Sequence, residues 1–296
     1  MLGATTARAQ DDAPPPATSE PDCSLKQYAS IDLHASVPNR ILVPADIEGH
    51  RLVFIIDTGA PVGVLKAGVA FALHLPFEPL TGRPRLELVG KPVVATTHIP
   101  SLELGGMSDP NPRFGLVPND TLEGGVAGTL GADIWQNFNI EFDFAANKMN
   151  LFAPDHCPAK FVYWTKEPFA AIPFHFDQLE HIIIPVAVDG VRLEAIVDTG
   201  APAAIVMNLD SARAHFSWAF PPPELKAVDE ERGHYTYPFK LLSLAGASVH
   251  NPSVRLDKSL TLQGVDLLVG AEALRAFHVF ISYKDKVIYL TARDAH

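Results

Sequence analysis

Residues 41–65 read ILVPADIEGHRLVFIIDTGAPVGVL, and residues 182–206 read IIIPVAVDGVRLEAIVDTGAPAAIV. The second stretch lies a constant 141 positions after the first, and eleven of the 25 aligned positions are identical, Asp-Thr-Gly-Ala-Pro among them. An internal repeat decides architecture before any local reading does, because each copy folds as a unit and the copies then pack. This one runs through nearly the whole chain. Ile31 and His34 answer Ile172 and His175 at the same spacing. Leu102, Leu104 and Asn111-Pro112 answer Leu242, Leu244 and Asn251-Pro252 at a spacing of 140, and Thr129-Leu130-Gly131-Ala132-Asp133 answers Leu268-Val269-Gly270-Ala271-Glu272 at 139. The chain divides accordingly into a leader over 1–28, a lobe over 29–153, a linker over 154–167 and a second lobe over 168–293, each lobe of ordinary domain size.

Short apolar or alternating runs at 41–47, 52–56, 86–89, 93–99, 140–144, 182–188, 193–197, 266–269, 279–283 and 287–291 are bounded by Gly, Pro, Asn or Asp, the pattern of strands. The 26 prolines leave little room for long helices. The clearest helical stretches are short, 132–138 and 271–277, each just after a Gly of the repeat, with Asp133 or Glu272 near the first turn to suit the helix dipole. The expected fold class is mainly β: two homologous lobes with a short helix late in each. An apolar fraction of 47% fills two cores. A formal charge of −11 with scattered basic residues lacks the clustered positive surface that nucleic acid requires, and no run reaches the length of a membrane span.

A carboxylate that arrives in duplicate, each at the end of an apolar strand and before a tight Gly turn, points to amide hydrolysis without a metal or a covalent intermediate. That reaction needs a base to take a proton from water and an acid to give one to the carbonyl oxygen. Two carboxyls about 3 Å apart serve as both, because like charges at that separation cannot both ionise and one pKa is forced up. Asp57 and Asp198 are the candidate pair. Thr58 and Thr199 can brace the two loops by hydrogen bonds across the lobe interface, Gly59 and Gly200 let the backbone approach the carboxylates, and Pro61 and Pro202 stiffen the exits. Each lobe supplies one loop, so a monomer suffices for activity.

These residues carry a resemblance. The chain resembles the retropepsin-like and pepsin-like aspartic peptidases, most of all bacterial two-lobe members in which both lobes keep a retropepsin-style motif; the resemblance covers essentially 29–293. It implies the aspartic peptidase fold, with two homologous closed-barrel-like lobes, a polypeptide substrate, no cofactor and no metal. It places Asp57 and Asp198 on the catalytic positions, and Gly131 and Gly270 on the structural glycines behind the loops. It also implies flaps over about 83–97, with Gly90 near the tip, and about 226–240, with Gly233 near the tip. Ala60 and Ala201 stand where pepsin-like enzymes carry Ser or Thr, which removes a hydrogen bond to the charged carboxylate and implies a less acidic working pH. Thr129 takes an ordinarily apolar place, and only the second flap offers tyrosines, Tyr235 and Tyr237.

Two functional readings follow: an aspartic endopeptidase, or a peptidase-fold module that binds peptides or a protein partner without cleaving them. Other chemistries lack their motifs. The 12 histidines include no His-Glu-x-x-His, and no Gly-x-Ser-x-Gly elbow occurs. In the leader, Ala7-Arg8-Ala9 before Gln10 fits a signal-peptidase site without the apolar stretch that precedes one, and an ordinary disordered tail reads equally well. The location expected from it is periplasmic or secreted. Cys23 and Cys157 flank the first lobe, either as a bridge from leader to linker or as two free thiols.

Overall fold

The computed structural model describes residues 24–34, 39–80, 86–88, 90–155 and 161–293. Cys23, Cys157 and the Ala7-Arg8-Ala9 segment lie outside the described residues, as do parts of the first expected flap. The chain is mainly β, as its prolines and short apolar runs require. Three large sheets carry the architecture. The first half builds a nine-stranded sheet in the order Met107–Pro110, Ser101–Leu104, Leu42–Ile47, His50–Ile56, Gly128–Leu130, Val64–Lys66, Arg113–Val117, Ala95–His98, Glu78–Pro79. The second half repeats that order: Ala247–His250, Leu241–Leu244, Ile182–Val188, Val191–Asp198, Leu267–Gly270, Ile205–Asn208, Val254–Asp257, His234–Thr236, Lys226–Asp229, with His175–Phe176 added beside Ile182–Val188.

The halves meet in a third, six-stranded antiparallel sheet ordered Gln27–Asp32, Lys148–Phe152, Asn139–Asp143, Phe277–Ser282, Val287–Ala292, Ala170–Pro173. Three strands come from each half, and the seam pairs Ile140 with Ile281 and Phe142 with Val279. Alternate side chains of this sheet enter one apolar cluster that runs from Leu65 and Trp135 through Phe142 and Ile281 to Ile205. The lobes therefore share a core and do not merely touch.

Every strand expected from the apolar runs is present, within a residue or two of its expected ends. The helices are shorter than their sequence suggests. Asn137 Nδ2 donates to the carbonyls of Asp133 (2.9 Å) and Ile134 (3.2 Å) and ends the first at Ala132–Trp135. The second stops at Ala271–Leu274 because Phe277 already pairs with Ala292. Two further helices, Ala67–Ala72 and Leu209–His215, lie beyond those expected; the latter carries a readable cap, with Asn208 Oδ1 accepting from the N–H groups of Asp210 (2.8 Å) and Ser211 (3.0 Å).

The outer face of the shared sheet holds a polar group closed off by the segment linking the lobes. Glu141 and His278, both buried, meet across the seam at 2.9 Å. The Glu141 carboxylate also accepts from Asn150 Nδ2 (2.5 Å) and Tyr163 Oη (2.8 Å). Trp164 stacks on the His278 ring with centroids 4.1 Å apart and donates to Thr291 Oγ1 (3.0 Å). Removing one member of such a buried set leaves the others unpaired, so Glu141→Ala is expected to cost about 3–5 kcal/mol. Glu141→Gln, which keeps the shape and part of the bonding, should cost clearly less. Urea unfolding of the two variants measures both, and equal losses would show that only packing matters there.

Candidate functional site

The strand His50–Ile56 ends in Phe54-Ile55-Ile56, all buried, because it is central in its sheet: Leu42–Ile47 pairs on one side and Gly128–Leu130 on the other. The next residue, Asp57, donates its N–H to the Leu130 carbonyl at 3.0 Å and is therefore fixed at a buried strand end. In the second lobe Asp198 closes the strand Val191–Asp198 in register with Gly270. The backbone reason for both late glycines is contact. A Cβ at Gly131 would lie 2.7 Å from the Gly63 nitrogen, and one at Gly270 would lie 2.6 Å from the Ala201 carbonyl oxygen, so no side chain fits behind either loop. Ala60 and Ala201 are buried, and their carbonyls accept from Ala132 and Ala271, each at 2.8 Å, tying the loops to the short helices.

The two loops interlock. Thr58 N–H donates to Thr199 Oγ1 (2.9 Å) and Thr199 N–H to Thr58 Oγ1 (3.1 Å), while each hydroxyl donates to a carbonyl of the opposite strand, Thr58 to Val197 (2.6 Å) and Thr199 to Ile56 (2.7 Å). The glycines face the opposing carboxyl groups: a Cβ at Gly59 would lie 2.5 Å from the Asp198 carboxyl carbon, and one at Gly200 2.5 Å from that of Asp57. Asp57 and Asp198 are thereby brought into hydrogen-bond contact with each other.

The two carboxyls are not equivalent. Asp57 accepts one N–H, from Gly59 at 3.1 Å. Asp198 accepts two, from Gly200 at 2.8 Å and Ala201 at 3.0 Å. Burial pushes the Asp57 carboxyl well above its ordinary value, and the Asp198 charge and the bond between the pair add to it. Burial raises Asp198 too, but its two N–H donors, the bond from Asp57 and the Arg40 charge all oppose the rise. The shared proton therefore belongs on Asp57 and the negative charge on Asp198.

The expected flaps differ between lobes. In the first, Glu87–Leu88 pairs with Lys91–Pro92 around Gly90 (φ +70°), and Leu88 packs on Ile55, Leu122 and Val126. Lys91 Nζ adds an ion pair to Asp120 at 3.1 Å. In the second, Lys226–Asp229 pairs with His234–Thr236 around Gly233 (φ +72°). By strand order this tight hairpin answers Glu78–Pro79 and Ala95–His98, so the 87–92 hairpin is an extension of the first lobe. Tyr235 lies beneath Lys258 Nζ (5.0 Å) and packs on the core, and the Tyr237 ring lies tilted against Trp218 (centroids 4.5 Å apart, planes at 47°); both tyrosines hold the second hairpin to its own lobe.

Two contacts escaped the sequence reading, in which Asp133 stands only as an acid near a helix start and Arg40 has no role. Asp133, held above its ordinary value by burial, accepts from the Gly63 N–H at 3.1 Å and stiffens the exit of the first loop. Arg40 donates from Nη1 to the Gly200 carbonyl. Its only sequence signal is its place directly before the repeated strand.

Replacing either loop threonine by Val strands a buried N–H of the opposite lobe, so Thr58→Val and Thr199→Val should each cost about 2–4 kcal/mol. The double variant should cost less than their sum by about 1–3 kcal/mol; additive losses in urea unfolding would deny the interlock. The carboxyl pair acts on stability in the opposite sense. A carboxyl raised in the folded state binds more protons there than in the unfolded chain, so stability falls as pH rises from about 3.9 through the folded value. Asp57→Asn should therefore leave Tm at about pH 7 equal to or above that of the wild type, with the difference vanishing toward about pH 3.5. A lower Tm at neutral pH would contradict the raised carboxyl.

Comparison with known proteins bears on this geometry. Residues 43–134, which hold Asp57 and Gly131, match the family model described as Aspartyl protease. No curated protein matches the chain. Among solved structures, the aspartic proteinase from Irpex lacteus superposes with a TM-score of 0.55 at 12% identity, over 90% of this chain and 98% of that one. At that identity the likeness speaks for architecture, and the architecture is the two-lobe fold of the aspartic peptidases.

Proposed function

We propose that the chain is an aspartic endopeptidase that hydrolyses peptide bonds with a water activated between Asp57 and Asp198. The observation that carries this reading is the pair itself: two buried carboxyls set against each other at the junction of two interlocked loops, each beside the glycine of the opposite loop. In the reaction, the Asp198 carboxylate accepts a proton from the water as its oxygen adds to the peptide carbonyl carbon, and Asp57 gives its proton to the carbonyl oxygen. The tetrahedral diol collapses when Asp198 passes the proton it took from water to the amide nitrogen, the C–N bond breaks, and a diol hydroxyl gives its proton to Asp57 as it becomes the carbonyl of the new acid, so the pair again has its one proton on Asp57. The Gly59, Gly200 and Ala201 N–H groups hold the carboxyls in place through these transfers. Both loops come from one chain, so a monomer holds the whole site. A module that only binds peptide has no use for two buried carboxyls forced to share a proton, which favours the hydrolytic reading over the binding one.

The test is cleavage of a mixed peptide library followed by mass spectrometry. Wild-type protein should cut internal bonds with a bell-shaped pH dependence peaking at roughly 4 to 6.5. Asp57→Asn and Asp198→Asn should each lose activity by about a thousandfold or more while remaining folded. Substantial activity in either variant would remove the dyad, and a folded wild type silent across that range would favour binding without cleavage.

A further inference from the structure

Arg40 belongs to the first lobe, yet its contacts lie in the second. Its Nη1 donates to the Gly200 carbonyl, two residues past Asp198. Its own carbonyl accepts from Arg275 Nη2 at 2.7 Å, and neighbouring Asn39 Nδ2 donates to Glu272 Oε2 at 3.2 Å. The segment is thus seated on the helix Ala271–Leu274 and its following residue. The charged groups that act on the guanidinium are Asp198, Asp57, Glu123 and Arg255. Arg255 is already engaged by Asp257 at 2.8 Å. Among the described residues Arg40 itself has no carboxylate within ion-pair distance, so a half-buried positive charge faces the dyad without being neutralised by another partner.

The repeat shows that this arrangement is one-sided. The residue at the same place in the second copy, 141 positions on, is His181. Its Nδ1 turns to Asp177 Oδ2 at 2.7 Å, within its own lobe. Thus the Asp198 loop receives a cation from across the interface, and the corresponding place in the second copy sends none to the Asp57 loop.

We propose that Arg40 is a positioning residue of the dyad: by anchoring on the Gly200 carbonyl it sets a fixed positive charge beside the Asp198 loop, which keeps the pair's single negative charge on Asp198 and its proton on Asp57. The proposal rests on the hydrolytic reading above and adds the device that breaks the near-symmetry of the two loops. A cation there stabilises every ionised form of the pair, so it lowers both the acid and the alkaline limb of the activity profile.

Two measurements test it. In the pH dependence of kcat/KM on a fluorogenic peptide chosen from the library products, Arg40→Gln should move both limbs up by about 1–2 pH units. Arg40→Lys should stay within about half a unit of wild type. Unmoved limbs with a lower maximum in Arg40→Gln would make Arg40 a mere brace, and a Lys variant that moves as far as the Gln variant would remove the role of charge; either result overturns the proposal. The second measurement needs no activity: carboxyl ¹³C NMR titration of Asp57→Asn reports Asp198, and that of Asp198→Asn reports Asp57. Asp198 should ionise at the lower pH, and adding Arg40→Gln should narrow the gap. Equal or inverted order, or an unchanged gap, overturns the proposal. An inactive wild type with the expected order and narrowing would sink the hydrolytic reading and leave the role of Arg40 standing.

Discussion

The site depends on four hydrogen bonds made by two threonines. Each hydroxyl of Thr58 and Thr199 donates to a carbonyl of the opposite strand and accepts the opposite N–H. Both threonines are fully enclosed, so none of these groups can turn to water if a bond fails, and each lost bond would leave a buried donor or acceptor unpaired. This is what sets the separation of the carboxyls one residue upstream. Two like-charged groups would otherwise part, and the lobes, joined by one sheet, could rock away from each other. Moving the loops apart would break all four of these buried hydrogen bonds.

A duplicated site faces a further requirement, since a shared proton has to sit on one side. The structure breaks the symmetry of its copies, and at the carboxyls the difference favours the proton on Asp57. Asp198 accepts two loop N–H groups where Asp57 accepts one. The helices behind the loops differ as well. Asp133 takes the Gly63 N–H directly, whereas its counterpart Glu272 accepts from the Ser253 hydroxyl (2.7 Å), which in turn accepts the Ala204 N–H (3.0 Å). A longer acidic side chain has thus been fitted with a hydroxyl relay so that the same loop is held from a different distance.

Much of this was legible in the sequence, and the reason is physical. A strand apolar on both faces must be central in a sheet, and an Asp that ends it must lie at a buried sheet edge, so 41–65 and 182–206 placed both carboxyls and both threonines without any coordinates. The repeat matched Gly131 with Gly270, and the family resemblance implied their place behind the loops, where backbone packs directly against them. What stayed hidden depends on approach between distant segments. Arg40 and Gly200 are 160 positions apart, and no local pattern tells an arginine that crosses an interface from one that faces water. The helix Leu209–His215 went unread although Asn208 is a signal for its start; Ala67–Ala72 has no side-chain cap and gave no such signal. The difference between the two hairpins also needed the sheet order, since Gly90 and Gly233 look alike in the sequence but turn in an extension and in a tight return respectively.

The arrangement of polar groups then explains how the fold tolerates its own site. Burying two carboxyls in contact raises their proton affinity and works against folding at neutral pH. The opposing contribution comes from where the lobes are joined: the six-stranded sheet continues one apolar cluster through both halves, and its outer face is closed by Phe161, Trp164 and Phe280 around Glu141 and His278. Glu141 differs from the dyad in having three polar partners, Asn150, Tyr163 and His278. Asp57 has one backbone N–H and a carboxyl neighbour. A buried carboxyl with three polar partners braces the seam, whereas Asp57, short of donors and set against a second carboxyl, is pushed toward its protonated form.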